Sequence, residues 1–325
     1  MDWMSGDRAY FALWASLMVA CVQNGVHIRI IHNVDRVGPE MVDAINGWFP
    51  LYMSGLIEPY VFRKPRNARF YHTLFLRPGG AAIQSFFPVE AGEERLYDYI
   101  TVADHLAVLE KSFRAMLSHA SPFLKTYPAT RADDLWQSCR DNYPAAWCTI
   151  LNGLSLPTMP EGLIERMLDR EGITGAKREL LLGRYQERRR QLREMLAQGS
   201  VQEILCLPNP EAVQSGSVKL NLGAEMLEAS VSYTPGEYAE HIAAIRELVN
   251  GEKNYHLTLL PQVPFRELQV FTLKDAVAVL RCQEPYTAFV FKNEILTRSI
   301  FSYCDSLIEQ FAADRYTTMQ ALSNV

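Results

Sequence analysis

The chain has 325 residues, 48% of them hydrophobic, with a formal net charge of −5 and a pI of about 5.9. That length and apolar fraction support one large domain or two packed ones and exclude a disordered chain. The acidic balance excludes a global basic field that would hold nucleic acid through its phosphates.

In chain order, "RAYFALWASLMVACVQN" reads as an apolar helix from about Arg8 to Asn24, stopped by Gly25 as a left-handed cap. Its apolar run, Tyr10 to Val22, is too short to cross a bilayer, and "MDWMSGDR" before it is not a positively charged leader. A first element this apolar ordinarily has something N-terminal to cover it, so a preceding domain is expected. The strand "VHIRIIHNV" follows, then a helix "MVDAINGWFPLYMSG", three strands "IEPYVFR", "RFYHTLFLR" and "AAIQSFF", and a helix "ITVADHLAVLEKSFRAMLSHA". This order predicts an α/β layer with a mixed sheet over 1–128.

Residues 129–200 read as a helical insert, with "SPFLKTYP" as a loop before it and "LPTMPEG" as a proline-punctuated loop within it. Its second helix carries a cationic face of Arg184, Arg188, Arg189, Arg190 and Arg193. Acids interleave with these arginines, so a solvated face or a subunit contact is favoured over phosphate binding, although "MLDREGITGAKRELLLGRY" loosely looks like a helix-turn-helix. Residues 201–325 repeat the first plan: helix "GEYAEHIAAIRELVNGEK", strand "YHLTLLPQV", further strands in "LQVFTLKDAVAVLRC" and "YTAFVFK", and a closing helix from Asn293. "VHIRIIHNV" and "YHLTLLPQV" match in length, in a second-position histidine (His27 and His256) and in the apolar run, which predicts a duplicated unit.

Six cysteines stand singly with no C-x-x-C pair, as reduced thiols of a cytoplasmic protein would. No phosphate loop, Ser-His-Asp spacing or metal-ligand cluster appears, and no cofactor is expected. In "HNVDR", at the carboxyl edge of the first strand, His32, Asn33 and Arg36 are candidates for contacting an anion or nucleotide, with Arg29 on the strand itself. The alternative is a polar strand end. Alternation puts Arg29 and His32 on opposite faces, so a site there is built from the loop.

The helix, Gly-Val and charged strand, followed by a second strand with a histidine, resemble the half-domain of phospholipase D-like proteins. Their signature is a histidine, one residue, a lysine, an acid after four intervening residues, then Gly-Ser. In "YHTLFLRPGGAAIQSF", His72 fits, but Leu74 and Gly79 stand where the lysine and acid belong, and Gln84-Ser85 replaces Gly-Ser. Phosphoryl transfer through histidine needs a neutralising cation and an acid, so the resemblance implies two degenerate, non-catalytic units. His72 and Ser85 then remain as ligand contacts.

"DWMSGD", "IRIIHNVDR", "INGWFPLYMSGLIEPYVF", "LSLPTMPEGLIERML" and "NYHLTLLPQVPFRELQVFTLKDAVAVLR" are similar to the sensor region that follows a helix-turn-helix module in a group of bacterial transcriptional regulators. The resemblance implies a non-catalytic, ligand-sensing homodimer that touches DNA only through that N-terminal module and no membrane. Its effector is unidentified, with an anion among the candidates. Two other classes stay open: a phosphodiesterase-like enzyme with His72 and His32 as the reacting pair, and a protein-interaction scaffold.

Overall fold

The computed structural model describes residues 8–32, 52, 56–62, 70–88, 96–140, 144, 146–227, 230–265, 267–284, 286–292 and 294–323. The fold is mixed α/β, and the chain forms two compact units, 1–123 and 124–325.

In the first unit, helix α1 (Arg8–Gln23) buries Trp14 and Met18. It ends as its glycine predicts: Gly25 has φ +68°, and the Val26 amide donates back to the Cys21 carbonyl at 2.9 Å. Strand β1 (Ile28–His32) pairs in parallel with β2 (Ile57–Phe62), which pairs antiparallel with β6 (Ala120–Pro122). Strands β3 (Phe70–Arg77), β4 (Ala81–Pro88) and β5 (Asp98–Ile100) form a separate antiparallel sheet. The β3–β4 hairpin turns at Gly79, whose φ of +63° suits glycine and whose amide donates to Glu110 of α2 (Ala103–His119). Of the expected helix over 41–55, Tyr52 is described, helical and buried, and the rest falls outside the described residues.

The second unit is built on a seven-stranded sheet of order β10-β9-β8-β11-β12-β13-β7. Strands β8 (Ala146–Leu151), β9 (Ser200–Leu205) and β10 (Tyr255–Leu259) run parallel. Strands β11 (Leu268–Leu273), β12 (Ala276–Arg281), β13 (Thr287–Phe291) and β7 (Leu124–Pro128) continue the sheet antiparallel. Helices α3 (Ala132–Arg140), α4 (Leu163–Arg170) and α5 (Gly175–Gln198) lie between β7 and β9 in sequence. Helices α6 (Pro210–Gln214) and α7 (Pro235–Gly251) cross from β9 to β10. Helices α8 (Glu294–Phe311) and α9 (Arg315–Ser323) close the chain.

Residues 129–200 are therefore not a separate helical insert. β8 lies inside that span, β9 starts at its end, and both pair within the sheet that holds β10 to β13. "SPFLKTYP" is likewise strand rather than loop, since β7 pairs with β13. Core packing explains why: Trp147, Leu151, Val201, Leu205 and Tyr255 share one cluster with Trp136, Tyr185 and four residues of α4, Leu163, Ile164, Met167 and Leu168, which are wholly buried. Truncating one such aliphatic side chain costs about 2–5 kcal/mol. Helix α7 starts with Pro235 behind a capping box in which Thr234 and Glu237 satisfy each other's amides.

The two strands read as copies share a position. β1 and β10 each end their sheet's order and pair in parallel with one neighbour, and a hairpin follows each in sequence, β3–β4 and β11–β12. In the first unit that hairpin belongs to its own sheet, whereas in the second it continues the parallel strands.

Candidate functional site

Among the residues singled out in the first unit, Arg29 is exposed and its Nε donates to Glu58 at 3.2 Å, its register partner on β2. Tyr60 donates to the same carboxylate oxygen at 2.9 Å. Arg29 is thus part of a compensated cross-strand pair. His32 is the last residue of β1, opposite Val61; its side chain, and Asn33, Asp35 and Arg36 entirely, fall outside the described residues. His72 lies opposite Phe86, its ring edge-on with centroids 6.2 Å apart, while Ser85 lies opposite Thr73. Alternation therefore sends His72 and Ser85 to opposite faces of the hairpin. Ser85 is 1% exposed and donates to the Leu96 carbonyl at 2.7 Å, so it ties β4 to the approach of β5 and is not presented to a ligand.

Four of the five arginines on that face of α5, Arg184, Arg188, Arg189 and Arg190, are paired with carboxylates. Arg184 pairs with Asp133, Arg189 with Glu161 at 3.4 Å, and Arg190 with Glu187 at 2.8 Å and also with Glu194. Arg188 is buried: its guanidinium lies 3.6 Å over the Trp136 ring and forks onto Glu225, at 2.9 and 3.2 Å. A buried charge is tolerated when it is both paired and hydrogen-bonded, and Gln191 supplies a further acceptor at 2.8 Å.

Open α/β sheets present ligands beyond the carboxyl ends of their parallel strands. In the second unit that edge is filled by polar side chains that satisfy one another. His241 of α7 is fully buried, with Nε2 2.9 Å from the Thr158 hydroxyl and Nδ1 2.8 Å from the Tyr233 hydroxyl. Thr158 uses its own proton on the Ser155 carbonyl at 2.8 Å, so Nε2–H donates to Thr158 and Tyr233 donates to Nδ1. Burial pushes the imidazole down to about 3, which keeps it neutral. Nearby on β9, burial raises the Glu203 carboxyl, against hydrogen bonds from Tyr255, at 2.6 Å, and from Ser155. Ser155 links the two groups. The chain of contacts fastens the segment after β8 to α7, β9 and β10.

An open cleft lies between α3 and α5. Its volume is about 510 Å³, with Trp136 and Arg188 among its lining residues. Carboxylates and guanidiniums from both helices line it, and Arg140 bridges the helices by donating to Glu187 at 2.9 Å. No group of His, Cys, Asp and Glu that could hold a metal ion occurs among the described residues. No described helix is long and apolar enough to cross a membrane.

Both features lie in stretches from which sequence reasoning drew no site. One signal was available: Glu203 interrupts the apolar run "VQEILC", and an acid inside a strand that buries both faces needs a partner. The cleft had no such signal, because it depends on which helix of the span packs beside which.

No family model matches the chain, and no curated protein matches it. A solved structure described as TrmBL2, an archaeal chromatin protein with a novel mode of DNA binding, is similar over 70% of this chain and 72% of its own, with a TM-score of 0.31 and 9% sequence identity.

Proposed function

We propose that the chain is a non-catalytic, ligand-sensing and dimerising region of a bacterial transcription regulator. The observation that carries this reading is the cleft between α3 and α5, whose arginines already have protein carboxylates as partners. A ligand entering it competes with or adds to ion pairs that join the two helices, and so favours one arrangement of those helices over another. That differential contact is what a sensor requires. The similarity of "IRIIHNVDR" and "LSLPTMPEGLIERML" to regulator sensor regions supports the same reading. The compensated arginines of α5 support assigning DNA contact to a separate helix-turn-helix module.

The competing reading is a phosphodiesterase acting through His72 and His32. Incubating the purified chain with a chromogenic phosphodiester such as bis(p-nitrophenyl) phosphate decides between them. Sensing predicts no turnover above buffer, whereas hydrolysis that disappears in His72→Ala would sink the proposal.

A further inference from the structure

We propose that the cleft between α3 and α5 is a binding site for a small organic cation, a protonated amine on a short apolar body. The first observation is Gly183. It lies inside the 24-residue helix α5, and no positive φ calls for glycine there. A Cβ added at this position would meet nothing within 4 Å, so no packing calls for it either. Glycine in a helix interior is destabilising relative to alanine. What the missing side chain does here is open the wall of the cleft, which Gly183 lines.

The second observation is what surrounds that opening. Glu179 and Glu187 stand four residues before and after Gly183, one turn to either side on the same stripe of α5. Both line the cleft, as does the half-exposed Leu180 one turn before the glycine. A cation seated at Gly183 thus has Glu179 on one side and, on the other, Glu187, which already accepts from Arg140, Arg190 and Gln191, with an apolar contact beside it.

The third observation is the state of the lining charges. Four carboxylates and three guanidiniums line the cleft, and two arginines outside its lining, Arg131 and Arg190, pair with Asp134 and Glu187. Each lining guanidinium is engaged: Arg184 by Asp133, Arg140 by Glu187, and Arg188 by Glu225, which does not itself line the cleft. Glu179 has no ion-pair partner among the described residues. An anion would have to displace a protein carboxylate from its arginine, whereas a cation adds a partner where one is missing.

The proposal rests on the sensing reading for its purpose and on the cleft alone for its chemistry. Hydrolysis of a phosphodiester through His72 would remove the purpose and leave cation binding intact. Failure of cation binding would leave the sensing reading open to another ligand.

Isothermal titration of the full chain with 1,4-diaminobutane, and with hexanedioate as an anion of similar length, tests it. Glu179→Gln removes the unpaired charge. Gly183→Met fills the opening with a better helix former, so folding is preserved and is checked by circular dichroism. The expected result is saturable diamine binding, weakened about tenfold or more in each variant by loss of a charged contact or of space, with no hexanedioate binding. Hexanedioate binding in place of the diamine, absence of diamine binding, or diamine binding unchanged in both variants would overturn the proposal.

Discussion

The Arg188–Glu225 pair is the most heavily invested polar contact in the second unit, and its removal has a specific energetic signature. The two side chains are 8% and 2% exposed, with two N–O contacts at 2.9 and 3.2 Å, and Trp136 covers the guanidinium at 3.6 Å. Glu225→Leu leaves a buried guanidinium with Gln191 as its remaining hydrogen-bond partner. Such a loss costs about 3–5 kcal/mol, set by the uncompensated charge rather than by the pair's net value. Arg188→Met leaves the converse carboxylate and costs a similar amount. The double variant removes both charges together, and its cost falls to about 1–2 kcal/mol, chiefly the lost guanidinium contact on Trp136. The coupling energy of the cycle is therefore several kcal/mol. Urea denaturation followed by far-UV circular dichroism measures it, since α5 is the longest described helix. Single-variant costs below 1 kcal/mol, or a double variant equal to the sum of the singles, would refute the burial argument.

Three further outcomes follow from the same structure. His241 is about 3 folded and 6.5 unfolded. Between those values the unfolded chain takes up a proton that the native one refuses, so stability is full above pH 6.5 and falls toward pH 3 by up to about 1.4 kcal/mol per pH unit. The raised carboxyl of Glu203 runs the other way, so the check is the difference in slope between wild type and His241→Asn; equal slopes contradict it. Gly223→Ala places a Cβ 2.7 Å from the Cys282 Cβ and 2.8 Å from its Cα; backbone must shift, and thermal denaturation is expected to show a loss of about 1–3 kcal/mol. Cys139 is fully buried and burial pushes its thiol up to about 12, so mass spectrometry after N-ethylmaleimide treatment at pH 8 should find it unmodified in the native protein and modified in urea.

Local signals located many of the described elements. The Gly25 stop, the helix over 103–119 and the strands of both hairpins follow from periodicity and turn residues that act within a few positions. Lys274 and Asp275 form the two-residue turn between β11 and β12. The strands at β7, β8 and β9 were missed for a physical reason. "AWCTIL" and "SVQEIL" are short apolar runs buried on both faces, which periodicity cannot separate from helix, and "LKTYP" gains its strand state only by pairing with β13. The candidate site was less legible still. Ser85 carried a hydroxyl in a suggestive place, yet register turned it away from His72. The cleft and the His241 network each join residues tens of positions apart that only the packing of the second unit brings together.

The central claim, a ligand-binding dimer, is tested most directly by native mass spectrometry of the protein purified from its host. The account predicts the mass of two chains together with a retained small molecule that is lost under denaturing conditions. A population of empty monomers at micromolar concentration would contradict it.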